Sequence, residues 1–245
     1  MARLDWLTAR PLAHRGLHDA KAGLIENTPT AVRTAVEAGY GVEVDLQITA
    51  DGEAVVHHDD ALGRLTEGSG RLAEMTVAAL KAVPFKATGD RIVTLHELCA
   101  LVAGRATMAL ELKSRFDGDL RLVARAVQVL ADYNGPVAVM SFDPDLIEAT
   151  RKTAPALTRG IIAERHYDWG EFPPAAKRRL AFLLHAGRTR PQFVAYAVRD
   201  LPALAPLIAR NIFGLPLLTW TVRSDDDRRI AARYADQIIF EKSRS

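Results

Sequence analysis

Glu43 and Asp45 stand two residues apart in the β-branched run Gly41-Val42-Glu43-Val44-Asp45-Leu46-Gln47-Ile48. If that run is a strand, both carboxylates leave the same face and sit side by side among apolar neighbours. Two such groups repel, and one of them resists ionisation unless a cation intervenes. The chain then turns at Ala50-Asp51-Gly52 and returns through Ala54-Val55-Val56 to His57-His58-Asp59. Asp-Gly between apolar runs is a hairpin signal, and pairing about Asp51 brings position 57 or 58 back beside Asp45. His57 and His58 cannot point the same way from one strand. Further along, Glu111 and Lys113 end another apolar run, and His14-Arg15-Gly16 ends the first. Three converging carboxylates suit one hard, oxygen-seeking divalent cation, Mg²⁺ or Ca²⁺. Zinc fits less well, on the expectation that the chain offers neither a His-x-x-x-His nor a Cys-x-x-Cys ligand spacing. Two histidines beside a cation suggest a general acid and a general base. Arg15 and Lys113 would hold an anion, arginine being the better bidentate partner for phosphate. Together these types point to metal-assisted cleavage of a phosphate ester.

The elements that must position them follow from the same sequence. Short apolar runs at Pro11–His14, Gly41–Ile48, Thr107–Lys113, Val137–Met140, Leu157–Ala163, Phe193–Tyr196, Leu217–Val222 and Gln237–Phe240 read as strands. Amphipathic segments separate most of them. Thr28-Pro29 and Asp143-Pro144 read as N-caps with proline at the first helical position, Thr94 with Glu97 as a capping box, and Ser224 as a cap before three aspartates. Helices are expected at Leu120–Leu130, Ala175–Leu184 and Leu204–Ala209, with a short one at Thr76–Val83. Strands alternating with helices imply a parallel sheet, and eight such units in ~250 residues imply a (β/α)8 TIM barrel. A doubly wound sheet with a dinucleotide site is excluded, because one glycine stands where that fingerprint needs three. The hairpin and a glycine-punctuated stretch form an insertion after the second strand, about residues 47–92, within a single domain spanning 1–245.

The composition sets broad limits. The 245 residues are 49% hydrophobic and carry a formal net charge of +2, enough apolar material for one large core and no basic field for nucleic acid. No apolar run approaches the ~18 residues that span a bilayer, and the start of the chain lacks a leader-like apolar region, so a cytoplasmic protein without membrane insertion is expected. In a barrel, function gathers where strands end. There the polar residues are His14, Arg15, Glu43, Asp45, Glu111, Lys113, Ser141, Trp220 and Arg223, with His58 added by the hairpin. His18, His96, His166 and His185 have no comparable context and are read as structural.

At these residues the chain closely resembles the glycerophosphodiester phosphodiesterase family. The resemblance rests on His14-Arg15-Gly16, Glu26-Asn27-Thr28, Glu43-x-Asp45, Asp51-Gly52 with Val55-Val56, and His58-Asp59. It continues through Leu62-x-Arg64, Thr66, Gly68-x-Gly70, Glu111-Leu112-Lys113, Ser141-Phe142-Asp143 and Trp220-Thr221-Val222. It implies a (β/α)8 barrel with an insertion after strand two. It also implies hydrolysis of a small-molecule glycerophosphodiester to sn-glycerol 3-phosphate and an alcohol. By position, Glu43, Asp45 and Glu111 resemble the divalent-metal ligands, His14 and His58 the acid–base pair, and Arg15 and Lys113 the phosphate ligands. Phe142 and Trp220 resemble residues lining the substrate mouth, and Glu26 and Asn27 supports of the His14 turn. Two positions depart from the pattern: Arg223 replaces the usual Asn after Trp-Thr-Val, and Phe240-Glu241 replaces Thr-Asp after the last strand. The alternatives are the same chemistry on lysophospholipids, entering by the Trp169 loop, and a barrel that binds phosphodiesters without cleaving them.

Overall fold

The computed structural model describes residues 4–242. Its frame is a nine-stranded sheet of β1 (Leu12–His14), β2 (Gly41–Ile48), β3 (Ala54–Val56), β4 (Met108–Leu112), β5 (Val137–Ser141), β6 (Thr158–Ala163), β7 (Phe193–Ala197), β8 (Leu217–Val222) and β9 (Gln237–Phe240). All strands but β3 pair in parallel, and β1 pairs with both β2 and β9, so the sheet closes on itself. This is the expected (β/α)8 barrel with one extra strand. β3 lies antiparallel on β2, with Leu46 opposite Val56 and Ile48 opposite Ala54. The ladder continues one step further, where the His57 amide donates to the Asp45 carbonyl at 3.0 Å. The Asp-Gly turn therefore delivers position 57 beside Asp45 and position 58 just beyond it.

The helices are α1 (Asp5–Thr8), α2 (Pro29–Glu37), α3 (Val77–Ala82), α4 (Leu95–Val102), α5 (Arg121–Leu130), α6 (Pro144–Thr153), α7 (Pro174–Ala181), α8 (Ala186–Thr189), α9 (Leu204–Asn211) and α10 (Asp225–Tyr234). Their starts follow the chemistry of the caps. Thr28 accepts from the Ala31 amide with Pro29 at the first turn, and Asp143 accepts from the Asp145 amide with Pro144 likewise. Thr94 with Glu97 and Ser224 with Asp227 close two reciprocal capping boxes. One expected helix is cut short: Ala175–Leu184 stops at Ala181, and the chain restarts at Ala186. Leu183 adopts φ 56°, a left-handed conformation that no continuous helix tolerates. The short helix α1 has no counterpart in the periodic reading, because four residues carry no period.

Alternation along each strand divides the core in two. Val42, Val44, Leu46, Met108 and Leu110 face outward and pack with Leu95, Leu98 and Val123 of the surrounding helices. Ala109, Ala138, Met140, Ile162, Phe193, Ala195, Leu218 and Ile239 fill the barrel interior, with Leu7 of α1 fully buried against them. A layer that holds Phe193 needs space beside it. A Cβ on Gly160 would lie 2.4 Å from the Phe193 ring, so β6 carries glycine there. The insertion has a small core of its own, in which Val55, Leu62, Leu72, Leu80, Phe85 and Ile92 are buried. The interior is thus apolar through its lower layers and turns ionic at the carboxyl ends of β1, β2 and β4.

Candidate functional site

The register of the first strands assembles the ionic layer. His14 lies opposite Glu43 across β1–β2, and Asp45 lies opposite Glu111 across β2–β4. Side chains two apart on β2 share the inward face, so Glu43, Asp45 and Glu111 converge, with one oxygen from each lying within 4.8 Å of the others. Glu43 is 2% exposed, Asp45 1% and Glu111 9%. Burial drives the Glu43 carboxyl well above its usual range, and the neighbouring Asp45 and Glu111 charges add to that rise. Burial also opposes the charge on Asp45, but Lys113 and Arg15 outweigh it and hold Asp45 well below the usual carboxylate range. Lys113 Nζ lies 2.8 Å from Asp45 and 2.7 Å from Glu111, and Arg15 Nε lies 3.3 Å from Asp45. Three acids against two cations leave an excess of negative charge. A further cation beside them would favour the ionised form of all three. Three closely spaced oxygen donors on rigid strands suit a hard divalent ion, so the residues present fit Mg²⁺ or Ca²⁺.

The turn after β1 is built around this cluster. Arg15 adopts φ 56° and Gly16 φ 79°. A Cβ at Gly16 would approach the Ala31 carbonyl carbon to 2.7 Å, so only glycine lets the turn lie on α2. The Arg15 amide donates to Glu43 Oε2 at 3.1 Å. Glu26 accepts from Arg15 at 2.7 Å and from Arg64 at 2.7 Å, and with that help its carboxyl, despite burial, falls to about 2. Asn27 is 1% exposed and fixes Asp45 twice: Nδ2 donates to the carboxylate at 2.8 Å, and Oδ1 accepts from the Asp45 amide at 3.2 Å. The expected support of the His14 turn by Glu26 and Asn27 thus extends to Arg15 and Asp45.

Both candidate histidines line the same cavity, of about 1020 Å³, together with Arg15, Glu43, Glu111 and Lys113. Each is clamped at Nδ1 by a carboxylate. His14 Nδ1 lies 2.8 Å from Glu241 Oε1, and His58 Nδ1 lies 2.8 Å from Asp59 Oδ1. Burial works against both acids, but Arg64 and His58 hold Asp59 at about 2, and His14 and Arg223 hold Glu241 below the usual range. An ionised carboxylate only accepts, so each Nδ1 carries the proton. Burial lowers the pKa of both imidazoles, and each Nε2 is left as the free basic nitrogen. His14 Nε2 lies 3.9 Å from Glu43. Gln47 pins the backbone at His58 by donating to its carbonyl at 2.9 Å. His57, by contrast, is 1% exposed and turns toward Phe85, 6.4 Å between ring centres, in the core of the insertion.

The opposite wall is aromatic. Phe142 lies 5.5 Å from Trp220 and 5.4 Å from Trp169, both edge-on, and Trp169 lies 5.4 Å from Phe172. Trp220 Nε1 is buried without a hydrogen-bond partner. Glu164, 2% exposed at the end of β6, accepts from Trp169 Nε1 and from Arg199 at 2.7 Å, and so ties the following loop to the barrel. Ser141, a strand-end polar residue, is spent on the frame: it donates to the Leu112 carbonyl at 2.7 Å and accepts from the Asp143 amide at 3.1 Å.

Sequence reasoning passed over several of these residues. Glu164 stands in none of the motifs, and Asp59 and Arg64 enter only within motifs, with no role of their own; all three act on the site through other side chains, which no strand-end rule detects. Glu241 registers in the sequence as a departure, yet it holds His14, and the other departing residue, Arg223, grips it with two contacts of 2.7 Å. His18, read as structural, comes close to this group, with Nε2 at 4.0 Å from Glu241 Oε1.

The sequence and the fold have counterparts in known proteins. The model of the glycerophosphoryl diester phosphodiesterase family matches residues 14–242. A glycerophosphodiester phosphodiesterase of Caldanaerobacter subterraneus subsp. tengcongensis is 31% identical over 241 residues, covering 93% of this chain and 92% of the relative. Glycerophosphodiester phosphodiesterase 1 of Bos taurus is 30% identical over 76% of this chain, which spans 54% of that longer protein. Among solved structures, an Oleispira antarctica phosphodiesterase in complex with the product sn-glycerol-3-phosphate superposes with a TM-score of 0.78 at 20% identity, over 96% of this chain and 94% of that one. The glycerophosphodiester phosphodiesterase of Thermotoga maritima does so with a TM-score of 0.71 at 26% identity, over 94% and 92%. With a match from His14 at the end of the first strand to the residue beyond Glu241, the chain belongs to the glycerophosphoryl diester phosphodiesterase family and is an enzyme of that class.

Proposed function

We propose that this enzyme hydrolyses small glycerophosphodiesters in the cytoplasm to sn-glycerol 3-phosphate and an alcohol, with one Mg²⁺ or Ca²⁺ and a pair of histidines. The observation that carries the reading is a cluster of three buried carboxylates, two of which, Glu43 and Glu111, line one cavity with two imidazoles each clamped at Nδ1. Glu43, Asp45 and Glu111 would hold the ion. When bound, the ion polarises a phosphate oxygen and lowers the pKa of a hydroxyl or water. Arg15 and Lys113 sit beside these acids and bind the remaining phosphate charge. One imidazole takes the proton of the attacking hydroxyl at Nε2, and the other, protonated, gives one to the leaving alcohol oxygen. Glu241 and Asp59 fix the rings in the tautomer this requires and stabilise the imidazolium that forms. Trp220 offers its unpartnered indole N–H, and Phe142 its ring, to the bound diester.

The test is release of glycerol 3-phosphate from glycerophosphocholine and from diesters with other head groups, with and without chelator. Release that disappears with chelator and returns with Mg²⁺ or Ca²⁺ is expected. A protein that binds these diesters but releases nothing under any divalent ion would be the non-catalytic barrel, and the proposal would fall. A second reading, cleavage of lysolipids, draws on the aromatic wall, where Trp169 is 54% exposed. Faster turnover of a long-chain lysolipid than of glycerophosphocholine would favour it. Among the described residues no helix is long and apolar enough to cross a membrane.

A further inference from the structure

Glu43, Asp45 and Glu111 are not the only ligand-type group at this end of the barrel. His14, His18 and Glu241 each offer one atom, and these atoms lie within 4.8 Å of one another. The two clusters differ in kind. One is all carboxylate oxygen; the other has two imidazole nitrogens and one carboxylate, the His₂Glu set that zinc favours. The spacing is close to what an ion needs. Glu241 Oε1 lies 2.8 Å from His14 Nδ1 and 4.0 Å from His18 Nε2, whereas tetrahedral ligands at zinc distances are about 3.4 Å apart. A modest opening on one side and closing on the other would bring both nitrogens to that spacing from Glu241 Oε1. His18 Nε2 supplies an independent sign. It is buried with no hydrogen-bond partner, and a buried polar nitrogen left unpaired costs stability unless something else uses it. The expectation against zinc rests on there being no His-x-x-x-His spacing, and that premise fails: His14 and His18, four positions apart on either side of the β1 turn, are such a pair.

We propose that His14, His18 and Glu241 form a second metal site, selective for a borderline transition ion of the zinc class, and that its occupation switches the enzyme off. The inhibition rests on the reading of His14 as one of the acid–base pair; the binding does not. Loading the site puts the ion on His14 Nδ1 and moves the single ring proton from Nδ1 to Nε2, so the ring stays neutral and Nε2 is no longer a free base. His14 then loses the carboxylate hydrogen bond that holds its tautomer. Glu241 gives Oε1 to the ion, which displaces the Arg223 Nη2 contact of 2.7 Å at that oxygen, and keeps Arg223 Nε on Oε2 at 2.7 Å. A hard ion prefers the oxygen cluster and a softer one the nitrogen-rich cluster, so the two sites are expected to sort cations by type.

The experiment has two arms, both with Mg²⁺ saturating the acidic site. In the first, Co²⁺ is titrated into the protein as a spectroscopic stand-in for zinc, with no substrate present. Intense absorption bands of a four-coordinate site are expected in the wild type. They should be weakened by more than about 100-fold in affinity in His18→Ala and His18→Gln, a loss beyond that for removing an outer-shell partner. In the second arm, Zn²⁺ is added during turnover. The wild type should lose most of its activity, and both His18 variants should keep theirs with unchanged basal rates. Equal cobalt affinity in wild type and variants, or only the weak bands of an all-oxygen octahedral site, would overturn the proposal. So would zinc inhibition that the variants share in full. Should a variant fail to fold, the wild-type cobalt spectrum alone decides. If no diester is hydrolysed at all, the function reading fails while the cobalt arm still reports on the second site.

Discussion

At the scale of single residues the two imidazoles carry the heaviest demand. Replacing either His14 or His58 by alanine should lower kcat by about 10²–10⁴ with the fold intact, the range for losing a general acid or base. A rate near wild type in either variant would remove that residue from the chemistry. Glu241 should behave differently, because on the proposed function it would act on the substrate through His14, whose Nδ1 it holds. In Glu241→Ala, kcat should fall by about 10–100-fold while KM changes little, as expected when an orienting partner is lost. Glu241→Gln should recover part of that rate, since the carboxamide oxygen still accepts from Nδ1. If both variants fell equally, or KM rose in step, the hydrogen bond of 2.8 Å would be a packing contact and not a positioning one. The sequence made His14 and His58 legible because they end β-runs beside acids. It marked Glu241 only as a departure and left His18 to be read as structural, because Glu241 stands 227 positions from His14 along the chain, and only barrel closure between β1 and β9 brings it to the histidines.

At the scale of elements, what was legible was what repeats or caps. β1 to β9 and the long helices announce themselves by alternation, by Thr28-Pro29 and Asp143-Pro144, and by the Asp51-Gly52 turn that sets the hairpin register. The break between α7 and α8 did not, because it rests on a left-handed residue, Leu183, that carries no compositional mark. That break buries His185, which is 4% exposed with neither ring nitrogen hydrogen-bonded. Burial, helped by Arg188 and Arg179, lowers its pKa from 6.5 to about 4. The native state therefore keeps this ring neutral where the unfolded chain would protonate it. Its stabilising neutral form is fully available above pH 6.5, and stability drains away as pH falls from there toward 4. The loss by pH 4 should approach about 2–3 kcal/mol, since each tenfold difference in proton affinity between the two states corresponds to about 1.4 kcal/mol. Denaturant midpoints measured between pH 7 and pH 4 should show this slope in the wild type and a shallower one in His185→Phe. Parallel curves would mean that the ring is hydrated or protonated in the native state.

At the scale of the whole molecule, the barrel places its least comfortable groups at its most rigid point. An apolar interior built on Leu12, Ala109, Met140 and Phe193 gives way, one layer up, to three buried acids whose mutual repulsion Lys113 and Arg15 only partly offset. Such an arrangement sacrifices some stability for function, so a cation that joins the acids should stabilise the entire fold. At a free ion concentration of about 100 Kd, binding contributes about 2.7 kcal/mol, which for a domain of this size raises Tm by about 5–10 °C. Thermal unfolding in chelator and in excess Mg²⁺ or Ca²⁺ should show that rise for the wild type. Glu43→Gln turns the argument around. Removing the carboxyl that burial and its two neighbours already push toward the neutral form should leave the chelated protein as stable as the wild type or more so, while abolishing the response to the ion. A variant that lost stability in chelator would show that Glu43 holds the barrel together through its bond from the Arg15 amide. A wild type whose Tm ignored both ions would remove the divalent cation from the acidic cluster altogether.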